Sequence, residues 1–423
     1  MSLFNFIHAA DIHLDSPLHK LDAYEGSPKE ELRHATRRAF ENLVNLAIDE
    51  DVDFLLIAGD LYDGDWKDYN TGLYLVSQLR KLREAEIPVL IVAGNHDAAS
   101  KITKTLRLPD GVTMFASNKA ETTELKRIGV AVHGRSFSSA ATTKNLAKTY
   151  PSPVPGCFNI GLLHTSLNGR EGHEPYAPCS LDDLQSKGYN YWALGHAHQR
   201  EVVLEDPVVL FSGNTQGRHV RECGPKGCVL VTVDDSGRPA TNFKPLDVVR
   251  WGKIEIDASG ADGGYGVVDL VTEKLSQLLD ENGGLPLIAR VEIQGSSPAH
   301  AELAGDVEHW ANEFRSAAID VLGGDACIEK VKIQTSYPPA TGAVRSKEGP
   351  VGELNRCLDS LESDPTELLS LGKTLEELAN KTPRELKEGE DGVNPEDPHW
   401  VAEMIRHVRP MLLRRLLRKG ASQ

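Results

Sequence analysis

Between residue 4 and about residue 235 the chain repeats one pattern: a short apolar, β-branched run that ends in a polar cluster of Asp, Asn, Gly or His. Runs of this length and composition read as strands, and the clusters as the loops that follow them. The sequence predicts strands at Phe4–His8, Asp53–Ala58, Pro88–Ala93, Gly129–His133, Phe158–Leu163, Asn190–Leu194, Val208–Phe211 and Gly227–Val233. Helical spacing fills the early gaps. A helix over about 28–50 opens at Ser27-Pro28 and repeats Leu32, Ala39, Leu43 and Leu46; a second over 69–85 repeats Leu73, Val76, Leu79 and Leu82. Strands alternating with helices predict a layered α/β core.

A different texture begins near Val249. Trp251–Ile256, Leu287–Ile293 and Ile328–Ile333 read as strands, with helical stretches at about 266–281 and 300–317, which together make a small α+β domain. Pro338, Pro339, Thr341 and Gly342 form a linker, and helical spacing resumes with Leu354, Leu358 and Leu361. The acidic segment Glu388 to Pro398, rich in Gly and Pro, reads as a hinge. The expected division is 1–245, 246–337 and 338–423.

The chain has 423 residues, 40% of them hydrophobic and 26% charged, which suits a folded protein and excludes collagen-like or generally disordered architecture. With 46 Lys and Arg against 62 Asp and Glu, the formal charge is −16, the wrong sign for a free-standing nucleic-acid coat protein. Action on DNA would need local basic help. No apolar run has the length of a membrane span, and the start at Met1-Ser2-Leu3 lacks the features of a signal peptide, so no membrane association and a cytoplasmic location are expected. The six cysteines are scattered, with no CxxC pair, and read as reduced structural thiols.

Five polar clusters follow predicted strands: Asp11-Ile12-His13, Gly59-Asp60-Leu61-Tyr62-Asp63, Gly94-Asn95-His96-Asp97, His164-Thr165 and Gly195-His196-Ala197-His198. In α/β sheets the loops at the carboxyl ends of strands meet at one crevice, so residues distant in sequence become neighbours. Any one of these histidines alone is equally well explained as an ordinary buried or surface group. Together they would crowd ionisable side chains at the edge of a core, a costly arrangement unless they coordinate something. One ion needs fewer donors than the clusters offer. Two divalent ions need about this many, with one carboxylate able to bridge them. Imidazoles, carboxylates and a carboxamide without thiolates favour manganese, iron or zinc.

These motifs, in this order and spacing, resemble the calcineurin-like metallophosphoesterase superfamily. The opening His8-Ala9-Ala10-Asp11-Ile12-His13-Leu14-Asp15-Ser16-Pro17 is similar to that of its DNA-repair exonuclease branch, which includes SbcD-like and YhaO-like members; Gly213-Asn214-Thr215-Gln216-Gly217-Arg218-His219 resembles a loop of the YhaO-like ones. The resemblance implies a four-layer α/β/β/α sandwich with a small α+β capping domain and a helical C-terminal tail. It implies two divalent ions, Mn2+ first and Fe2+ or Zn2+ as alternatives, one held by Asp11, His13 and His198 and the other by Asn95, His164 and His196, with Asp60 bridging. His96 would contact the scissile phosphate and protonate the leaving oxygen, with Asp97 as an orienting partner. The implied reaction is DNA phosphodiester hydrolysis by an activated water.

At position 63 this chain has Asp, as the bacterial branch does, where archaeal and eukaryotic nucleases of this type carry His. Transfer of their cleavage polarity is therefore not warranted, and Asp63 can equally orient a ligand from outside the metal shell. Arg218, His219 and Arg221 follow the Val208–Phe211 strand, and a phosphate clamp is their preferred role, with a surface loop as the alternative. His8 alternates within a strand and belongs to the core. Asp15 and Ser16 either shape the metal loop or simply form a turn.

In the last 23 residues six basic side chains, Arg406, Arg409, Arg414, Arg415, Arg418 and Lys419, stand against one acid, Glu403. Val401, Met404, Ile405, Val408, Leu412 and Leu416 recur at helical spacing, so an amphipathic helix is expected, divided at Pro410. It would dock an SMC-like ATPase, touch DNA, or pack on its own domain. Homodimerisation is left open. Two rival functions use the same residues: a phosphoesterase for small nucleotides or phosphoproteins, and a DNA-end-binding scaffold with little turnover.

Overall fold

The eight apolar runs predicted in the first 235 residues all become strands, and four further strands join them. In chain order they are β1 (Ser2–Ala9), β2 (Phe54–Ala58), β3 (Val89–Val92), β4 (Val112–Met114), β5 (Glu121–Leu125), β6 (Val130–Gly134), β7 (Phe158–His164), β8 (Tyr191–Gly195), β9 (Glu201–Glu205), β10 (Val208–Phe211), β11 (Gly227–Asp234) and β12 (Pro239–Pro245). The structure is a computed structural model and describes residues 2–16, 34–63, 69–99, 106–167, 176–338, 349–382, 387 and 392–420. The expected helix start at Ser27-Pro28, the linker residues Pro339, Thr341 and Gly342, and residues 388–391 of the expected hinge lie outside the described residues.

The strands form two six-stranded sheets, ordered β12-β11-β1-β2-β3-β4 and β5-β6-β7-β8-β10-β9. β1 to β4 run parallel, with β11 returning antiparallel against β1; β6, β7, β8 and β10 run parallel in the other sheet. The four strands the sequence did not predict, β4, β5, β9 and β12, are the four sheet edges. An edge strand is less enclosed, so it needs no continuous apolar run; β5, Glu-Thr-Thr-Glu-Leu, has no fully buried residue.

The two sheets face one another across a core of Phe4, Phe6, Phe54, Leu56, Ile160, Leu162, Tyr191, Leu210 and Val231. The Phe6 ring stacks on Phe54 at 4.8 Å and meets Tyr191 of the opposite sheet edge-on at 5.3 Å. On the outer face of the first sheet lie α1 (Ala35–Asp49) and α2 (Tyr69–Glu84), whose Phe40, Leu43, Leu75, Leu79 and Leu82 pack on Ile7, Leu55 and Ile57. Each such fully buried side chain contributes roughly 1.5–3 kcal/mol relative to exposure. The second sheet's outer face is covered by Phe137, Leu146, Tyr150, Leu167 and Leu184 against Leu163, Trp192 and Leu194. The fold is the expected α/β sandwich. His8 is a core residue, as expected, bonded to the Tyr191 hydroxyl and the Leu194 carbonyl.

By its internal contacts the chain divides into two units, one comprising Met1–Ile254, Val271–Val291 and Phe314–Val331, the other Glu255–Leu270, Glu292–Glu313 and Lys332–Gln423. The helical stretch expected over 300–317 is interrupted, with helices at His300–Leu303 and Val307–Leu322. The C-terminal helix Pro398–Gly420 runs through Pro410 without division. Its Val401 and Ile405 are buried with Leu358 and Leu368 of the helices Pro350–Ser363 and Pro365–Lys373, so this part of the tail packs on its own unit. Arg409 is held there too, by the Asn355 carbonyl and the Asp359 carboxylate. The side chains of Arg414, Arg415, Leu416, Arg418 and Lys419 are outside the described set. Among the described residues no helix is long and apolar enough to cross a membrane.

Candidate metal centre

The five polar clusters meet, because each leaves the carboxyl end of a parallel strand and those ends lie at the same rim of the sandwich. Asp11 and His13 follow β1, Asp60 follows β2, Asn95 and His96 follow β3 and open α3 (Asn95–Ala99), His164 ends β7, and His196 and His198 follow β8. Three overlapping groups bring ligand atoms within 4.8 Å of one another: Asp11, His13 and His198; His13, Asp60 and His96; and Asp11, Asp60 and His164. Asp60 and Asp11 each belong to two groups. Asn95 joins through its Oδ1, 2.9 Å from His164 Nε2. His196 donates its backbone N–H to Asp11, at 3.0 Å to Oδ2, and sets its ring edge-on to His164 with centroids 5.3 Å apart.

The backbone is bent to bring these groups inward. Asp11, His13, Asp60 and His196 all have positive φ, from 46° to 103°, a conformation that non-glycine residues adopt at a cost of about 1–3 kcal/mol each. Close approach also demands missing side chains. A Cβ at Gly94 would overlap the Asp60 carboxylate, and one at Gly195 would overlap the Ala58 carbonyl.

The donor chemistry suits cations. His164 Nδ1 lies 2.9 Å from the Ala58 carbonyl, which only accepts, so this nitrogen carries the proton. Its Nε2 therefore turns a lone pair toward Asp60 Oδ2 at 3.4 Å, acceptor facing acceptor. His198 Nδ1 likewise lies 2.5 Å from the Glu222 carboxylate, and its Nε2 meets His13 Nε2 at 3.3 Å. Burial holds the imidazoles of His13 and His164 well below their ordinary pKa, with Arg218 and His196 respectively acting in the same direction, so both rings are neutral and ready to ligate. Burial also pushes Asp11 up to about 6, and raises Asp60 further through the neighbouring Asp97 and Asp11. Positive charge among these groups would relieve lone-pair opposition and carboxylate repulsion together.

Around this cluster the structure assigns several contacts the sequence did not reveal. The carboxylate facing His96 is Asp63, whose Oδ1 stands 3.0 Å from Nδ1. Asp97, the orienting partner expected for His96, is instead buried with its oxygens accepting from the backbone N–H groups of Tyr62 and Gly94. It braces the two loops, because a carboxylate so placed satisfies amides that otherwise have no strand partner. Asp63 also accepts from Ser16 Oγ at 2.7 Å and lies 3.6 Å from His13 Nδ1. Burial alone would raise its carboxyl pKa, but the nearby rings of His13 and His96 and the Ser16 hydroxyl outweigh it and hold the group far below the usual range. Asp15, just past the first cluster, accepts from Arg37 Nε at 2.6 Å and from the Thr71 hydroxyl at 2.5 Å.

Of the expected phosphate clamp, Arg218 faces the cluster, with Nη1 3.3 Å from Ser16 Oγ and Nη2 3.4 Å from His198 Nδ1. His219 is half-exposed with Nε2 3.4 Å from Glu222, and Arg221 is exposed. Glu222 is a residue the sequence reading missed: an acid in a loop, 24 positions after the histidine it touches, gives no signal in strand-end pattern.

A two-sheet α/β sandwich with imidazole, carboxylate and carboxamide donors converging at one rim defines a metallophosphoesterase. Residues 4–200 match the family described as calcineurin-like phosphoesterase, and residues 251–336 match the middle domain of metallophosphoesterase YhaO. The chain belongs to the calcineurin-like metallophosphoesterases and, within them, to the YhaO-like family. It is 35% identical over 297 residues to "Uncharacterized metallophosphoesterase YhaO" of Bacillus subtilis (strain 168), covering 69% of this chain and 72% of that one. It is also similar to two proteins named "DNA double-strand break repair protein Mre11". One, of Sulfurisphaera tokodaii, is 27% identical over 209 residues, 49% of this chain and 52% of that one. The other, of Sulfolobus acidocaldarius, is 22% identical over 350 residues, 78% and 86%. The family uses a dinuclear metal centre, and the candidate ligands for one are present here.

Proposed function

We propose that this protein is a two-metal DNA phosphodiesterase, an exonuclease acting in DNA repair or end processing. The observation that carries the reading is the convergence of neutral imidazoles and buried carboxylates beside a histidine paired with Asp63. In this reading Asp11, His13 and His198 would hold one ion and Asn95, His164 and His196 the other, with the Asp60 carboxylate available to both. Bound ions, with Mn2+ as the preferred metal, supply an activated water and neutralise charge on the phosphoryl oxygens.

The remaining steps fall to the chain's own side chains. His96, about a third exposed, reaches the solvent side of the cluster, where it contacts the scissile phosphate and passes a proton to the leaving oxygen. Asp63 fixes the ring through Nδ1, and Asp97 keeps the His96 loop in place. Arg218 bears positive charge beside the substrate's expected path, with His219 and Arg221 further out.

DNA as the substrate is supported by the distant similarity to the archaeal Mre11 proteins and by the opening motif. We propose also that 246–337 caps the nuclease domain, 1–245, and restricts which DNA ends enter; its match to the YhaO middle domain supports that division. Because the chain carries a formal charge of −16, a partner that contributes basic DNA-binding area fits it well. An SMC-like ATPase engaging residues 338–423 is that partner in our reading, in a cytoplasmic setting.

The test compares Mn2+-dependent degradation of linear DNA with hydrolysis of a small chromogenic phosphodiester, each repeated with His96→Ala. Loss of DNA cleavage with DNA binding retained supports the nuclease. Turnover of the small ester alone moves the protein to the small-nucleotide or phosphoprotein phosphoesterases, and absence of metal-dependent turnover leaves a DNA-end scaffold.

A further inference from the structure

The loop after β10 carries more than substrate contacts. It wraps around His198, the most solvent-accessible of the histidines that close the Asp11 and His13 group, with 26% of its side chain exposed. A ring so placed is free to rotate unless something outside the cluster holds it. Besides Arg218, whose Nη2 lies 3.4 Å from Nδ1, the segment 213–227 holds the ring and its backbone. Glu222 Oε1 lies 2.5 Å from His198 Nδ1; Lys226 Nζ donates to the His198 carbonyl at 3.0 Å; and the Asn214 backbone N–H donates to the same carbonyl at 3.3 Å.

Glu222 is itself immobilised. It is buried, 3% exposed, and its second oxygen accepts from Asn214 Nδ2 at 2.9 Å and the Arg218 backbone N–H at 2.7 Å. The loop is in turn fixed by Gln216, whose Nε2 donates to the Val249 carbonyl at 2.7 Å and whose Oε1 accepts from the Val248 N–H at 3.0 Å. Its first oxygen faces three side chains, His198 at 2.5 Å, His219 at 3.4 Å and Arg218 at 3.6 Å, and the shortest of these contacts is the one able to set the tautomer and direction of the His198 ring.

We propose that Glu222 is a positioning residue: it keeps the proton of His198 on Nδ1 and so aims the Nε2 lone pair at the group formed with Asp11 and His13. The proposal rests on the two-metal reading above, since it assigns His198 the work of a ligand. It also makes the segment 213–227, which contains the expected phosphate clamp Arg218, His219 and Arg221, a brace for one metal site.

The test titrates Mn2+ into the full chain by electron paramagnetic resonance, which reads free ion directly, for the wild type, Glu222→Gln and Glu222→Leu. The wild type is expected to bind two ions. Glu222→Leu is expected to weaken one of them by about 10- to 100-fold and leave the other unchanged. Glu222→Gln retains an acceptor oxygen and is expected to recover most of that loss. In metal-free protein, 15N-detected imidazole resonances should show His198 as the Nδ1-protonated tautomer in the wild type and in Glu222→Gln. Should Glu222→Leu fail to fold, the tautomer in Glu222→Gln decides. Wild-type affinity for both ions in Glu222→Leu, equal weakening of both, or an Nε2-protonated His198 in Glu222→Gln would overturn the proposal. A wild type that binds no ion overturns the two-metal reading instead, so the two failures are distinguishable.

Discussion

Asp63 Oδ1 stands 3.0 Å from His96 Nδ1, and the same carboxylate accepts a hydrogen bond from Ser16. The pair joins the loop after β2 to the loop after β3, and it fixes the orientation of the part-exposed histidine. His96→Ala is expected to lower turnover of a phosphodiester by about 10²- to 10⁴-fold, the range typical of a lost general acid. Its Mn2+ stoichiometry should stay at the wild-type value, because the contact His96 makes to Asp60 is through its backbone N–H, which alanine keeps. Steady-state kinetics beside metal titration check both. Asp63→Asn should lose about 10- to 100-fold, since the ring remains but its orientation is less firmly held.

Metal affinity should depend on pH through the carboxylates rather than the imidazoles. Burial raises Asp11 to about 6 and Asp60 above its ordinary value, whereas it holds His13 and His164 well below theirs and so neutral. An ion must displace the carboxyl proton, so the Mn2+ dissociation constant is expected to rise about tenfold per pH unit for each proton displaced as pH falls below about 6. The sign is opposite for the ion-free fold. A carboxyl with a raised folded pKa contributes stability below its unfolded value near 4 and loses it as pH rises through about 6. Calorimetric titrations between pH 5 and 8 would contradict this if affinity were flat across that window.

Asp60→Asn should separate stability from function. Ionising Asp60 in the ion-free protein is opposed first by its burial and then by repulsion from Asp97 and Asp11, so its carboxylate form costs stability. The substitution is expected to raise the ion-free melting temperature and to abolish the further rise on adding Mn2+. In the wild type that rise corresponds to about 2.7 kcal/mol when free ion is 100 times its dissociation constant. Thermal melts with and without Mn2+ decide it, and a variant that is less stable without metal would refute the repulsion argument.

Gly94→Ala places a methyl group where the Asp60 carboxylate lies. Overpacking of this kind costs about 1–3 kcal/mol, and here the carboxylate must turn away from the other donors to relieve it. Urea denaturation should report the loss in stability, and metal titration the loss of ion binding. Wild-type affinity in this variant would show that the Asp60 loop tolerates the displacement.

Much of the site was legible in the sequence because it obeys a local rule. A buried parallel strand must be apolar, its loop must be polar, and all such loops in one sheet open at the same rim, so Asp11, His13, Asp60, Asn95, His164, His196 and His198 were identifiable as candidates before any coordinates. The interior strands were visible for the same reason. The edge strands β4, β5, β9 and β12 were not, since a less enclosed strand needs no continuous apolar run. Arg218 was placed near the cluster by its position after β10, although its guanidinium is engaged with Ser16 and Asp63 rather than turned freely outward.

Which carboxylate serves which histidine was decided only by the tertiary structure. Asp97 is adjacent to His96 in sequence yet turns to backbone amides, while Asp63, 33 positions earlier, takes the ring. Glu222 reaches His198 because a loop folds back over the rim. The sequence determined the chemical inventory and the strand ends that present it, since burial and periodicity are written into neighbouring residues. Pairing between side chains depends on loop paths and backbone φ, such as the positive values at Asp11, His13 and Asp60, and these are set by contacts between segments far apart in the chain.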